Sequence, residues 1–173
     1  MNETSQICQS CSMPLAAPSD RGTEGDGTPS AFYCRYCYQN GAFTEPEATI
    51  ETMAARGGEM MAGMFEIPLE RARGFTLQQL RPLLRWSGRL IPSCGSCGMP
   101  LERPDDAGTD ADGSPSERYC THCYRNGAFV QPDLTREAMI AQYAPLLAAE
   151  LRMPLDRATA MVTAFTATLP RWR

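Results

Sequence analysis

CQSCSMPL at Cys8–Leu15 and YCRYCYQNGAF at Tyr33–Phe43 return, shifted by 86 positions, as CGSCGMPL at Cys94–Leu101 and YCTHCYRNGAF at Tyr119–Phe129. All eight cysteines fall in these stretches: Cys8, Cys11, Cys34 and Cys37, then Cys94, Cys97, Cys120 and Cys123. The correspondence continues without a gap, pairing Asp26-Gly27 with Asp112-Gly113, Pro68-Leu69 with Pro154-Leu155 and Trp86 with Trp172; 35 of the 79 positions paired from Cys8 to Trp86 are identical. Self-similarity at a fixed shift marks an internal duplication. Each copy therefore tests a reading of the other, and a feature found in one copy alone carries less weight.

Within a copy the cysteines read Cys-x2-Cys, then 22 residues, then Cys-x2-Cys. Two intervening residues allow a tight turn to aim both sulfurs at one ion, and two such knuckles supply four thiolates in tetrahedral array. Soft sulfur ligands select Zn²⁺ or iron, and four of them close the shell against water. All eight cysteines are thus expected to be metal ligands, holding two structural Zn²⁺ per chain, each within its own copy. Disulfides are the competing use of an even cysteine count, but they belong to oxidising compartments. Met1–Gln9 has neither a basic segment nor an apolar one, and no stretch approaches the roughly 18 apolar residues of a membrane helix. A cytoplasmic location without membrane contact is expected.

Between the knuckles, GTEGDGTPS (Gly22–Ser30) and GTDADGSPS (Gly108–Ser116) alternate acidic and small residues. A calcium loop aligned on Asp112-Gly113 would need an oxygen ligand and a glutamate where Gly108 and Tyr119 stand. Asp-Gly is read instead as a tight turn between short strands, and Asn40-Gly41 and Asn126-Gly127 as hairpin turns. Tyr33, Tyr38 and Phe43, with Tyr119, Tyr124 and Phe129, are expected to cover the metal sites. Stacking on nucleic-acid bases is disfavoured, because the net charge is −4 and grows more negative as thiols ionise around metal. His122, the sole histidine, corresponds to Tyr36. A ligand or base would not be replaced by tyrosine in the sister site.

After each ribbon come helical signals. Thr49 and Thr135 suit N-caps, with Glu51 and Glu137 in the first turn. Met53, Met60, Met61 and Met64 in one copy, and Met139, Ile140, Tyr143, Leu146, Leu147 and Leu151 in the other, recur every three or four residues. This predicts an apolar, core-facing stripe. Gly57 and Gly58 should weaken the first helix by about 1 kcal/mol each. Pro68 and Pro154 suit the opening turn of a second helix. Its buried face runs through Leu69, Ala72, Phe75, Leu80, Leu83 and Trp86, or through Leu155, Ala158, Met161, Val162, Phe165, Leu169 and Trp172, and the two tryptophans are expected at the junction between copies. The fold class is α+β: two tandem zinc-ribbon modules, each with a two-helix tail, at 1–86 and 87–173.

The cysteine motifs, the GT..DG.PS stretches and the closing Arg85-Trp86 and Arg171-Trp172 pairs together resemble a bacterial zinc-ribbon domain family, over nearly the whole chain. The resemblance implies that all eight cysteines are zinc ligands, and it fits a role attached to transcriptional regulation. One departure is Ser12, where the family pattern has glycine, as at Gly98; strain in the first knuckle is expected. With no catalytic residues, a noncatalytic zinc protein with a protein partner is the expected function. A thiolate redox or zinc sensor is the alternative. Nucleic-acid binding is disfavoured further because Arg81, Arg85, Arg89, Arg171 and Arg173 are its only support.

Overall fold

The computed structural model describes residues 6–173. They form two compact units: the chain up to Gly63 together with Ala72–Leu90, and Met64–Arg71 together with Ile91–Arg173. The sequence modules and the compact units thus differ at Met64–Arg71 and at Ser87–Leu90.

The first ribbon consists of two antiparallel pairs, β1 (Arg21–Thr23) with β2 (Pro29–Cys34) and β3 (Tyr38–Gln39) with β4 (Ala42–Phe43). Arg21 faces Cys34 and Thr23 faces Pro29, with a bulge between them. The turn joining β1 to β2 is made by Asp26, whose Oδ1 accepts from the Thr28 amide at 2.9 Å and from its hydroxyl at 2.6 Å. Such a side-chain turn is the reason an aspartate stands there. Between β3 and β4, Asn40 and Gly41 sit at φ 51° and 80°. Both central residues of a type I′ turn need positive φ, which the Asn-Gly pair adopts at low cost. The second ribbon repeats this with β5 (Ala107–Thr109), β6 (Pro115–Cys120), β7 (Tyr124–Arg125) and β8 (Ala128–Phe129), paired in the same order.

The first helical tail comprises α1 (Ile50–Phe65), α2 (Leu69–Leu80) and a single turn, α3 (Leu84–Ser87). The second comprises α4 (Arg136–Leu151), α5 (Leu155–Thr166) and a closing 3-10 turn at Pro170–Trp172. The threonine caps form as the sequence predicts: Thr49 Oγ1 accepts from the Thr52 amide at 3.2 Å and Thr135 Oγ1 from Ala138 at 3.1 Å. Three details differ from expectation. Pro68 and Pro154 stand one residue before their helices, not in the first turn. The second helix does not run on to the tryptophan but stops at Leu80 or Thr166. In the first copy the cause is Pro82, which lacks an amide hydrogen and biases Arg81 away from helix.

The third difference concerns the core. Ala54, Leu80 and Leu83 are buried together, with Ile50, Met53, Leu77 and Trp86 around them. Met60 and Met64, expected to face inward, are exposed, as are Leu146 and Phe165. Small residues line the crossing instead. A Cβ placed on Gly58 would lie 2.8 Å from Arg73 Cα, so α1 approaches the α2 backbone where only glycine fits. The glycine's cost to the helix is therefore tied to a close approach between the two helices. In the second copy Ala144 is buried at this place, and Met139, Leu151, Ala158, Val162 and Leu169 complete the helical core.

Candidate metal centres

Each centre is assembled from two turns. In the first knuckle, the Ser12 amide donates to Cys8 O at 2.9 Å and the Cys8 amide to Met13 O at 2.7 Å, curling Cys8 and Cys11 onto one side. The second knuckle closes with Cys37 N to Cys34 O at 3.0 Å, directly after β2. The two are joined where Gln9 N donates to Phe32 O at 2.7 Å. The second copy uses the same bonds at Gly98, Cys94, Met99, Cys123, Cys120, Gly95 and Arg118. The strain expected at Ser12 is visible: it sits at φ 64°, a left-handed conformation, where Gly98 sits at φ 78°.

The result is two clusters, Cys8, Cys11, Cys34, Cys37 and Cys94, Cys97, Cys120, Cys123, in which the sulfurs all lie within 4.8 Å of one another. Cys11 Sγ is 3.7 Å from Cys34 Sγ, and Cys97 Sγ is 3.6 Å from Cys120 Sγ. None of the eight cysteines is disulfide-bonded, and these separations are far beyond the bond length of about 2.05 Å that a disulfide needs. A tetrahedron of sulfurs at about 2.3 Å from a central zinc has edges of about 3.8 Å. The observed separations fit that edge, so the donor set and its spacing accommodate one Zn²⁺ in each copy, with no coordination position left over. Cys8, Cys34, Cys94 and Cys120 are fully buried, and Cys37 nearly so; Cys11, Cys97 and Cys123 are partly exposed.

The electrostatics favour a cation. Cys8 is held well below the ordinary thiol range by hydrogen bonds from Cys11, Cys34 and Cys37, while Cys11, bonded to Cys34, Cys37 and Cys8, is pushed far up. Cys94 is likewise lowered by Cys123 and Cys97, and Cys123 is pushed up to about 12 through its bond to Cys94. Cys34 is also lowered, to about 7, by its bonds to Cys11 and Cys37; a divalent ion is what allows all four sulfurs of a cluster to ionise. Backbone amides add to this. Cys34 N donates to Cys8 Sγ at 3.2 Å, and Cys120 N to Cys94 Sγ at 3.3 Å.

The aromatic trios form as expected. Tyr33 packs against the first cysteine cluster, with Tyr38 and Phe43 centred 5.0 Å from its ring, and Tyr119 does the same in the second copy with Tyr124 and Phe129 at 5.1 and 4.9 Å. Burial pushes the Tyr33 hydroxyl up. His122 and its counterpart Tyr36 are exposed and stand outside the clusters. The Asp-Gly turns hold no metal-ligand group among the described residues.

Each tryptophan docks on the first knuckle of its own copy: Trp86 Nε1 donates to Ser10 O, and Trp172 Nε1 to Ser96 O, both at 2.8 Å. The indole N–H needs an acceptor when covered, and the knuckle carbonyl between two metal ligands provides it. Arg85 and Arg171 join this contact through Ser10 and Ser96 Oγ, each at 3.1 Å. The serine common to CQSC and CGSC, with the common Arg-Trp pair, was the signal for it.

The zinc-ribbon domain model matches twice, at 7–87 and 93–173, spanning both repeats and almost the whole chain. No curated protein and no solved structure matches the chain. With two complete four-cysteine centres inside two complete matches, the chain belongs to the family described as Putative zinc ribbon domain, of which it carries two modules in tandem.

Proposed function

We propose that this chain is a noncatalytic zinc protein that uses its two metal centres to hold a surface for a protein partner, in a regulatory, transcription-related setting within the cytoplasm. One observation carries the reading: apolar side chains stand exposed at matching positions of both copies. Met60 and Leu146 are 67% and 64% exposed, and Leu69 and Leu155 are 38% and 55% exposed. Each pair is related by the 86-residue shift. Apolar residues held at the surface in both copies favour contact with another protein. The described helices include none long and apolar enough to cross a membrane. The test is capture from the source cell with metal retained, comparing the natural chain with a Met60→Glu, Leu146→Glu variant. Proteins held by the first and lost by the second support the reading; recovery of nucleic acid, or identical recovery by both, overturns it.

The partial exposure of Cys11, Cys97 and Cys123 favours a second reading, a sensor in which oxidation of these thiolates expels zinc. Zinc release at low peroxide, reversed by a thiol reductant and fresh metal, would select it over the first.

A further inference from the structure

The last turn of each copy reaches the metal centre across most of its module. Arg85 lies 75 residues from Ser10, yet its Nη1 donates to Ser10 Oγ at 3.1 Å, and its Nη2 donates to Glu45 O at 2.6 Å. The guanidinium also lies 4.0 Å from the centre of the Phe43 ring and 4.6 Å from that of Trp86. Its backbone amide donates to Gln9 O at 3.0 Å, and Trp86 Nε1 to Ser10 O. Every element recurs in the second copy. Arg171 bonds Ser96 Oγ at 3.1 Å, Gln131 O at 2.5 Å and Gly95 O at 3.0 Å, and covers Phe129 and Trp172 at 3.9 and 4.5 Å.

The arrangement spans both halves of the ligand set. Gln9 and Ser10 are the two residues between Cys8 and Cys11, and Glu45 follows the hairpin that leaves Cys37. A planar fork with five donors can bond two chain segments at once, which a lysine ammonium does less well. Ser10 and Ser96 are buried, so their hydroxyls have few alternative partners.

We propose that Arg85 with Trp86, and Arg171 with Trp172, are latches that position the knuckles of their own centre, so that zinc binding and docking of the terminal turn are linked. The inference rests on the zinc reading of the clusters. Zinc fixes the turn that presents Gln9 O and Ser10 O; the latch holds that turn against the opposite knuckle in return. Linkage is reciprocal: whatever the latch adds to metal affinity, the metal adds to closure of the latch. Residues that orient ligands without touching the ion commonly change metal affinity by roughly 10- to 100-fold when altered.

The experiment follows zinc leaving the full chain into excess chromogenic chelator, with the phase from each centre assigned by Cys8→Ser and Cys94→Ser variants that each lack one. Trp86→Phe removes the N–H and keeps a ring, and Arg85→Lys keeps the charge and removes the fork. Either should speed release from the first centre by roughly 10-fold and leave the second within about twofold; Trp172→Phe should do the reverse. Hydrogen exchange gives the reciprocal readout: the Arg85 and Arg171 amides should be protected in the zinc form and lose that protection after chelation. Equal changes at both centres, unchanged release in all three variants, or amides protected alike with and without metal would overturn the latch. A natural chain holding no zinc would instead overturn the metal reading.

Discussion

Gly98→Ser places in the second copy the residue that the first copy already has at Ser12. The backbone there is left-handed, φ 78° at Gly98 and 64° at Ser12. That conformation costs a non-glycine residue on the order of 1 kcal/mol, while removing glycine's freedom from the unfolded chain returns about 0.4 to 1 kcal/mol. The two nearly cancel, which accounts for a serine being tolerated at position 12. Sterics separate the copies. A Cβ on Gly98 would fall 2.2 Å from Phe165 Cζ and 2.7 Å from its Cε1. Position 79, the counterpart of Phe165, is glutamine. Because Cζ is the far end of a half-exposed ring, the ring swings aside before the knuckle yields. The strain therefore falls at the lower end of the overpacking range, about 1 to 2 kcal/mol. Urea unfolding of the zinc-loaded chain should show that loss for Gly98→Ser, and little change for Ser12→Gly. In a Phe165→Ala background, Gly98→Ser should cost less than about 0.5 kcal/mol, a coupling of about 1 kcal/mol. Losses that add within about 0.3 kcal/mol would show that the ring does not constrain the knuckle and would refute the argument.

Chelating the metal should unfold both ribbons, since each cluster core holds only one buried aliphatic residue besides cysteine, Leu15 or Leu101; native chemical shifts persisting around Tyr38 and Tyr124 would contradict it. Elemental analysis should return two zinc ions for the natural chain, one for Cys37→Ser and two for His122→Gln, because His122 lies outside both clusters. Leu80→Ala, at 1% exposure the most enclosed large side chain of its core, should cost about 2 to 5 kcal/mol in thermal or urea unfolding of the zinc form. The carboxyls of Asp26 and Asp112 are held below the usual carboxylate range by the hydroxyls of Thr28 and Ser114. Their stabilisation is thus present above the unfolded-state carboxylate pKa and is lost as pH falls through the lower folded value. The Thr28 and Ser114 amide resonances should report that loss, and a titration at the ordinary carboxylate value would disprove the hydrogen bonds.

What the sequence determined by itself was short in range. Cys-x2-Cys fixes which sulfurs can meet on one ion, Asp-Gly and Asn-Gly fix the turns through the φ values they permit, and Thr49 and Thr135 start helices with a hydroxyl oxygen that reaches the amide three residues on. Duplication extended these readings by letting Tyr36 dismiss His122. The tertiary structure decided what depends on the distance and shape of a partner segment. Helical periodicity places Met60 and Leu146 on apolar stripes, but does not say that both stand exposed, nor that α1 runs so close to α2 that only glycine fits at position 58. Likewise, a pattern read along the chain gives no acceptor for an indole whose partner carbonyl lies 76 residues away. Trp86 and Trp172 found their acceptors in the knuckles because an N–H covered by protein must be satisfied by whichever carbonyl the fold brings within reach, and only the folded chain specifies that carbonyl.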